Sequence, residues 1–196
     1  MRRWVGPADA LLQQAAWWVA VLGAAHGSPR LAALAGAAVV ALHLLARPGE
    51  RRRVAAVAAA AGAFGFLSDS LLVSAGLTAF GGGGASSPAW MVGLWAAFGA
   101  GLTASLRAPA AWPAPRLAVL AALAGPVAYR AGASLGAIAF PDGAVPALLA
   151  VAAQWAVGIP VLAWIARRVG PADRPAAIGA GPAAPGGAGG GWRWVP

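Results

Sequence analysis

Asp69 and Arg130 are ionisable side chains set deep inside long apolar stretches, Asp69 in Phe66-Leu67-Ser68-Asp69-Ser70 and Arg130 in Gly125-Pro126-Val127-Ala128-Tyr129-Arg130. A charge in hydrocarbon is expensive unless it is paired or hydrated, so each is a candidate functional group. Counted from Val54 and Leu117, the starts of their stretches, both fall about 20 Å deep at a helical rise of about 1.5 Å per residue. Equal depth permits an ion pair, in which each charge offsets the other's burial. Tyr129 and Gln154 belong to the same level, so Asp69, Tyr129, Arg130 and Gln154 form the expected central polar cluster. Three chemistries are open to it: an ion pair that fixes helix register, a site for a solute or headgroup, or an acid–base group. Arg130 has the further option of snorkelling outward without touching Asp69.

Other chemistries find little support. Gly132-x-Ser134-x-Gly136 resembles a nucleophile elbow, but a serine nucleophile needs a base in hydrogen-bond reach. His26 falls in a connection and His43 one turn from the end of its stretch, about 20 Å in depth from Ser134 at about 1.5 Å per residue. With no cysteine and two distant histidines, no metal site and no cofactor are expected. Gly81 to Gly84 lacks a following Lys-Ser/Thr and reads as a flexible linker, not a phosphate loop.

The elements that must position these residues follow from composition. Of 196 residues, 60% are hydrophobic and 10% charged, against about 25% charged in an ordinary soluble domain. Six stretches, 8–25, 31–46, 54–79, 89–106, 117–139 and 145–166, are near the roughly 20 residues a membrane helix needs. Arginine, the only long-chain cation, falls in alternate connections: positions 2 and 3; 47, 51, 52 and 53; 107 and 116; 167, 168, 174 and 193. Arg30 alone lies on the other side. The positive-inside rule then predicts an all-α, six-transmembrane-helix bundle with both termini cytoplasmic. The same asymmetry accounts for the net charge of +9 through anionic headgroups, without nucleic acid.

Residues 1–169 read as the membrane domain and 170–196, rich in Gly, Pro and Ala, as a flexible cytoplasmic tail. A cleaved signal peptide is the alternative for the first span, although Asp9, Gln13 and Gln14 make a poor signal core. Trp4, Trp112 and Trp164 read as anchors at the cytoplasmic boundary and Trp90 at the outer one, with Trp17, Trp18, Trp95 and Trp155 packed more deeply. His43 reads as interfacial. Gly62 and Gly65, and Gly132 and Gly136, mark helix faces suited to close packing. Pro126 and Pro160 are expected to kink the fifth and sixth helices.

An ordered set of short motifs carries a resemblance. It comprises Gln14-Ala15-Ala16-Trp17, His43-Leu44, Gly65-x-x-x-Asp69-Ser70 and Pro88-Ala89-Trp90-Met91-x-x-Leu94-Trp95-x-x-Phe98, then Gly125-Pro126-x-x-Tyr129-x-x-Gly132-x-x-x-Gly136-Ala137 and Trp155-Ala156-x-x-x-Pro160. Over residues 8–168 the chain resembles the domain of unknown function 2878 family, bacterial inner-membrane proteins without an established activity. Arg130 stands outside the motif. Because members sit near genes for fatty-acid-modifying enzymes, the resemblance implies a lipid-related role. The leading expectation is therefore a non-enzymatic component acting with membrane lipids, lipid-modifying enzymes or a second copy of itself. A transporter of a small solute or lipid with its site at Asp69, and an intramembrane enzyme, are the alternatives.

Overall fold

The computed structural model describes residues 5–169, so the expectations for Arg2, Arg3, Trp4 and the tail lie outside the described residues. Six helices dominate: α1 (Val5–Ala25), α2 (Pro29–Ala46), α3 (Arg51–Ser74), α4 (Ala89–Gly101), α5 (Ala114–Ser134) and α6 (Ala144–Arg168). They run alternately between two ends. One, the arginine-rich end, holds Arg47 to Arg53, Arg107, Arg116, Arg167 and Arg168. The other carries a short antiparallel ribbon of β1 (Ala79–Phe80) and β2 (Ile138–Ala139), with Ala79 opposite Ala139 and Phe80 opposite Ile138.

Four helical segments are long and apolar enough to cross a membrane: α2, Pro48–Ser74, α5 and α6. The expected six equivalent spans are thereby qualified at two helices. At 13 residues, α4 is only about 20 Å long at about 1.5 Å per residue. It gives way after Gly101 to hydrogen-bonded turns, such as Leu106 N–H to Gly101 O at 3.0 Å. α1 falls short in apolarity because of Asp9, Gln13 and Gln14, which the bundle accommodates: Asp9 is buried, and the Gln13 amide donates to Ala97 O at 2.8 Å. α1 is thus an integral wall of the bundle, and its polar residues follow from that position.

Two spans end earlier than the expected 79 and 139. α3 and α5 close with glycine in the left-handed region, Gly76 (φ +73°) and Gly136 (φ +87°). In each case the paired Schellman bonds form: Leu77 N–H to Leu72 O and Gly76 N–H to Val73 O, then Ala137 N–H to Gly132 O and Gly136 N–H to Ala133 O. Gly136 is therefore a helix terminator, whereas the sequence pattern placed it on a packing face. The residues released, 79–80 and 138–139, form the ribbon.

α4 sits centrally, packed on α1, α2 and α3, while α6 joins α3 to α5. The other five helices turn large apolar side chains outward, including Leu11, Leu34, Leu45, Leu67, Leu71, Leu123, Val127, Leu149 and Val157. A soluble monomer rarely exposes so continuous an apolar surface. Trp18 belongs to it at 45% exposure, contrary to its expected packing role. Trp90 is the opposite correction: at 1% exposure, with its indole N–H donating to Gly81 O at 2.9 Å, it is a core residue and not an interfacial anchor. Trp112 and Trp164 do stand at the arginine-rich end, beneath the Arg116 and Arg168 guanidinium groups at 4.0 and 5.1 Å.

Candidate functional site: a buried carboxylate network beside a lateral groove

Asp69 is fully buried. Three donors from three helices converge on it. Tyr129 of α5 donates its hydroxyl to Oδ1 at 2.5 Å, Gln154 of α6 donates to the same oxygen at 2.7 Å, and Trp95 of α4 donates its indole N–H to Oδ2 at 2.9 Å. The Gln154 amide also reaches the Ser68 hydroxyl at 2.7 Å. Both carboxylate oxygens are thus engaged, as a buried acceptor requires. The Gln154 carbonyl oxygen is buried without a partner.

Glycine makes this convergence possible. A Cβ on Gly65 would lie 2.1 Å from the Trp95 ring, so only glycine lets the indole lie against α3 and reach Asp69 one turn later. Gly125 admits Trp155 in the same way, and Gly158 admits Phe64. Gly132 is tight only against the end of the Ile138 side chain, and Gly62 makes ordinary contact at 3.6 Å. Pro126 and Pro160 lie within continuous α5 and α6.

Arg130 is not part of the cluster. Its side chain is exposed, and among the described residues the ion pairs are Asp9–His43 and Glu50–Arg53. The reason is the earlier end of α5: with the helix closing at Ser134, Arg130 lies one turn from the ribbon end, where a long side chain can reach polar surroundings. Ser134 is also exposed and donates to Arg130 O at 3.0 Å, which leaves the elbow-like motif as a helix end. We expect Arg130→Gln to leave thermal stability within about 0.5 kcal/mol of wild type, as for an unpartnered surface residue. A larger loss in detergent melting would restore a structural role to this charge.

Trp95 was absent from the expected cluster because its sequence context reads as simple packing; the glycine facing it belongs to another helix. A second polar cluster was missed entirely. At the arginine-rich end His43 Nε2 lies 2.7 Å from Asp9 Oδ1, while its Nδ1 contacts the Arg47 guanidinium. Arg47 in turn donates to the carbonyl and hydroxyl oxygens of Thr103 at 2.9 and 3.0 Å, and Ser105 N–H donates to Asp9 Oδ2 at 3.0 Å. Since guanidinium only donates, Nδ1 is the acceptor toward Arg47 and the ring proton belongs on Nε2, close to Asp9 but without a well-aligned hydrogen bond to it. His43 is therefore a buried joint of α1, α2 and the turn after α4, not an interfacial residue. The detectable signal was Asp9 itself, an acidic residue one turn inside an apolar helix.

Beside the Asp69 network runs a groove of about 270 Å³. Trp17 and Gln14 of α1 form one wall, Tyr129 and Ala128 of α5 the other, and Leu94, Trp95 and Phe98 of α4 the floor. Trp155 closes it from α6, with its ring 5.2 Å from that of Trp95. α1 and α5 share at most marginal contact, and the groove lies between them. Trp95 and Tyr129 belong to both features: each donates to Asp69 and each lines the groove.

Fold and site together define a class: a small helical bundle of membrane type, organised around a buried carboxylate held by three donors. Within that class, the family described as protein of unknown function (DUF2878) matches residues 7–161, and the chain belongs to it. Asp69, Trp95, Tyr129 and Gln154 all lie inside the matched segment. No curated protein and no solved structure matches the chain.

Proposed function

We propose that this protein is a non-enzymatic component of the bacterial inner membrane that holds the apolar chain of a bilayer lipid in its lateral groove and acts with lipid-modifying partners. The observation that carries this reading is the groove, lined by aromatic rings and lying between α1 and α5, two helices that expose Leu11, Val19, Leu123 and Val127. Such a groove faces hydrocarbon, so the occupant in reach is a lipid chain. Its volume of about 270 Å³ lies just below the roughly 300–1,000 Å³ of ligand pockets, suited to one chain and not to a whole lipid. Asp69 serves as the keystone that holds Trp95 and Tyr129 in place. In this reading all six helices cross the bilayer, with the arginine-rich end cytoplasmic.

A phosphatidylethanolamine carrying a diazirine on one acyl chain tests the proposal in vesicles. Crosslinks on Trp17, Leu94 and Phe98 that fall at least fivefold in Leu94→Trp are expected. Labelling confined to outward residues such as Leu123 and Val127 would sink the proposal.

A transporter is the second reading, favoured by the prolines inside α5 and α6, which leave the Ala122 and Ala156 carbonyls without helical donors, and by the unpartnered Gln154 oxygen. The cysteine-free chain separates the two. A Leu94→Cys variant that resists a membrane-impermeant thiol reagent, while Ser86→Cys reacts, is the result expected of a lipid-filled groove; ready labelling of Leu94→Cys means a water-filled path and favours transport.

A further inference from the structure

At the ribbon end a second cleft of about 260 Å³ lies between the starts of α2 and α4 and the loop Gly82 to Gly84. We infer that it is a binding site for a singly or doubly charged oxyanion, a phosphate above all, either free or as the headgroup of an anionic lipid. This goes beyond the lipid-chain reading and does not depend on it.

Four observations converge. The N-termini of two helices face the cleft, through Pro29 and Arg30 of α2 and Ala89 and Trp90 of α4. Neither is capped by a side chain, so the N–H groups of Arg30, Leu31, Ala89 and Trp90 have no partner within their helices. Arg30 adds a full positive charge where a helix dipole is already positive, an unfavourable placement unless an anion is near. Ser87 lines the cleft at 5% exposure, and its hydroxyl has no hydrogen-bond partner. A buried hydroxyl left unpaired is costly, and an oxyanion would satisfy it.

The loop is built to hold this shape. Its glycine run predicts a flexible linker, yet Gly81 N–H donates to Ala137 O at 2.8 Å, Gly83 N–H donates to Phe80 O at 3.0 Å, and Gly82 takes φ +67° against the Pro29 ring. Ser87 is fixed by its own N–H, which donates to the Ser70 hydroxyl at 3.0 Å. Among the described residues no acidic side chain lines the cleft; Asp142, at the same end, lies against Gly76. Trp90 lines both the cleft and the groove, so a lipid headgroup held here would have its chain near the groove's outer end.

The test uses the full chain in nanodiscs, read by thermal melting and by titration. In phosphatidylcholine discs, inorganic phosphate should raise the melting temperature, with affinity falling at least tenfold in Arg30→Gln and in Ser87→Ala but not in Arg130→Gln, the control for an ordinary surface charge. That result identifies a free anion. If phosphate has no effect but phosphatidylglycerol discs stabilise wild type and Arg130→Gln and not Arg30→Gln or Ser87→Ala, the same site takes a headgroup. Among the described residues neither side chain has a hydrogen-bond partner, and without an anion each is unfavourably placed, so the melting temperatures of both variants in plain phosphatidylcholine should equal or exceed wild type and report the fold. No response to either anion, or equal responses in all variants, overturns the inference.

Discussion

Replacing Asp69 with alanine is expected to destabilise the bundle by about 3–5 kcal/mol, the lower part of what three buried neutral donors left unpaired would cost. The loss is large because one carboxylate accepts from three helices. Without it, the Tyr129 hydroxyl, the Trp95 indole and the Gln154 amide become buried donors, each costing about 1–3 kcal/mol if no other acceptor is found. For a chain of this size that corresponds to a fall of roughly 6–20 °C in melting temperature. Asp69→Asn should lie between wild type and alanine: it keeps an oxygen for Tyr129 and Gln154 but turns an amide N–H toward the Trp95 N–H. Tyr129→Phe, which leaves the carboxylate two of its three donors, should cost least, about 1–2 kcal/mol. Fluorescence-detected melting in detergent measures the series, and a melting temperature for Asp69→Ala within 2 °C of wild type, taken as about 1 kcal/mol, would remove the keystone role.

The second large effect concerns two glycines on one face of α3. Gly65→Ala places a carbon 2.1 Å from Cγ and Cδ1 of Trp95, far inside the roughly 3.5–4.0 Å at which carbons rest. The indole must move, its bond to Asp69 Oδ2 breaks, and the groove loses part of its floor. We expect a loss of about 2–4 kcal/mol, overpacking plus one buried hydrogen bond. Gly62→Ala, three residues earlier, meets nothing nearer than 3.6 Å and gains up to about 1 kcal/mol in helix propensity, so it should be neutral or stabilising. The contrast is the measurement: equal tolerance of the two substitutions would mean that Trp95 does not rest on α3 as described.

Much of the site was legible because burying polarity in lipid is costly enough to mark a residue by itself. Asp69 stands out in its apolar run without any structure, and Tyr129 and Gln154 follow from depth along their helices. Depth is one coordinate only. It put Arg130 level with Asp69, but azimuth around the helix and the true end of α5 turned that side chain outward. Trp95 escaped notice because its partner across the interface is a glycine, which carries no chemistry to search for. Asp9 and His43 escaped because they are 34 positions apart and meet only when α1 packs on α2. The ribbon strands, two residues each, are too short to show an alternating pattern.

The sequence by itself determined the class of protein, its helices and the side on which arginine gathers, because hydropathy, chain length and charge asymmetry are properties of single segments in a solvent. The tertiary structure alone decided which donors satisfy Asp69, that the shortest helix is the central one, and that α1 and α5 leave a groove between them. Those outcomes depend on which helix faces meet, and that is settled by the fit of glycine against aromatic ring between segments far apart in the chain.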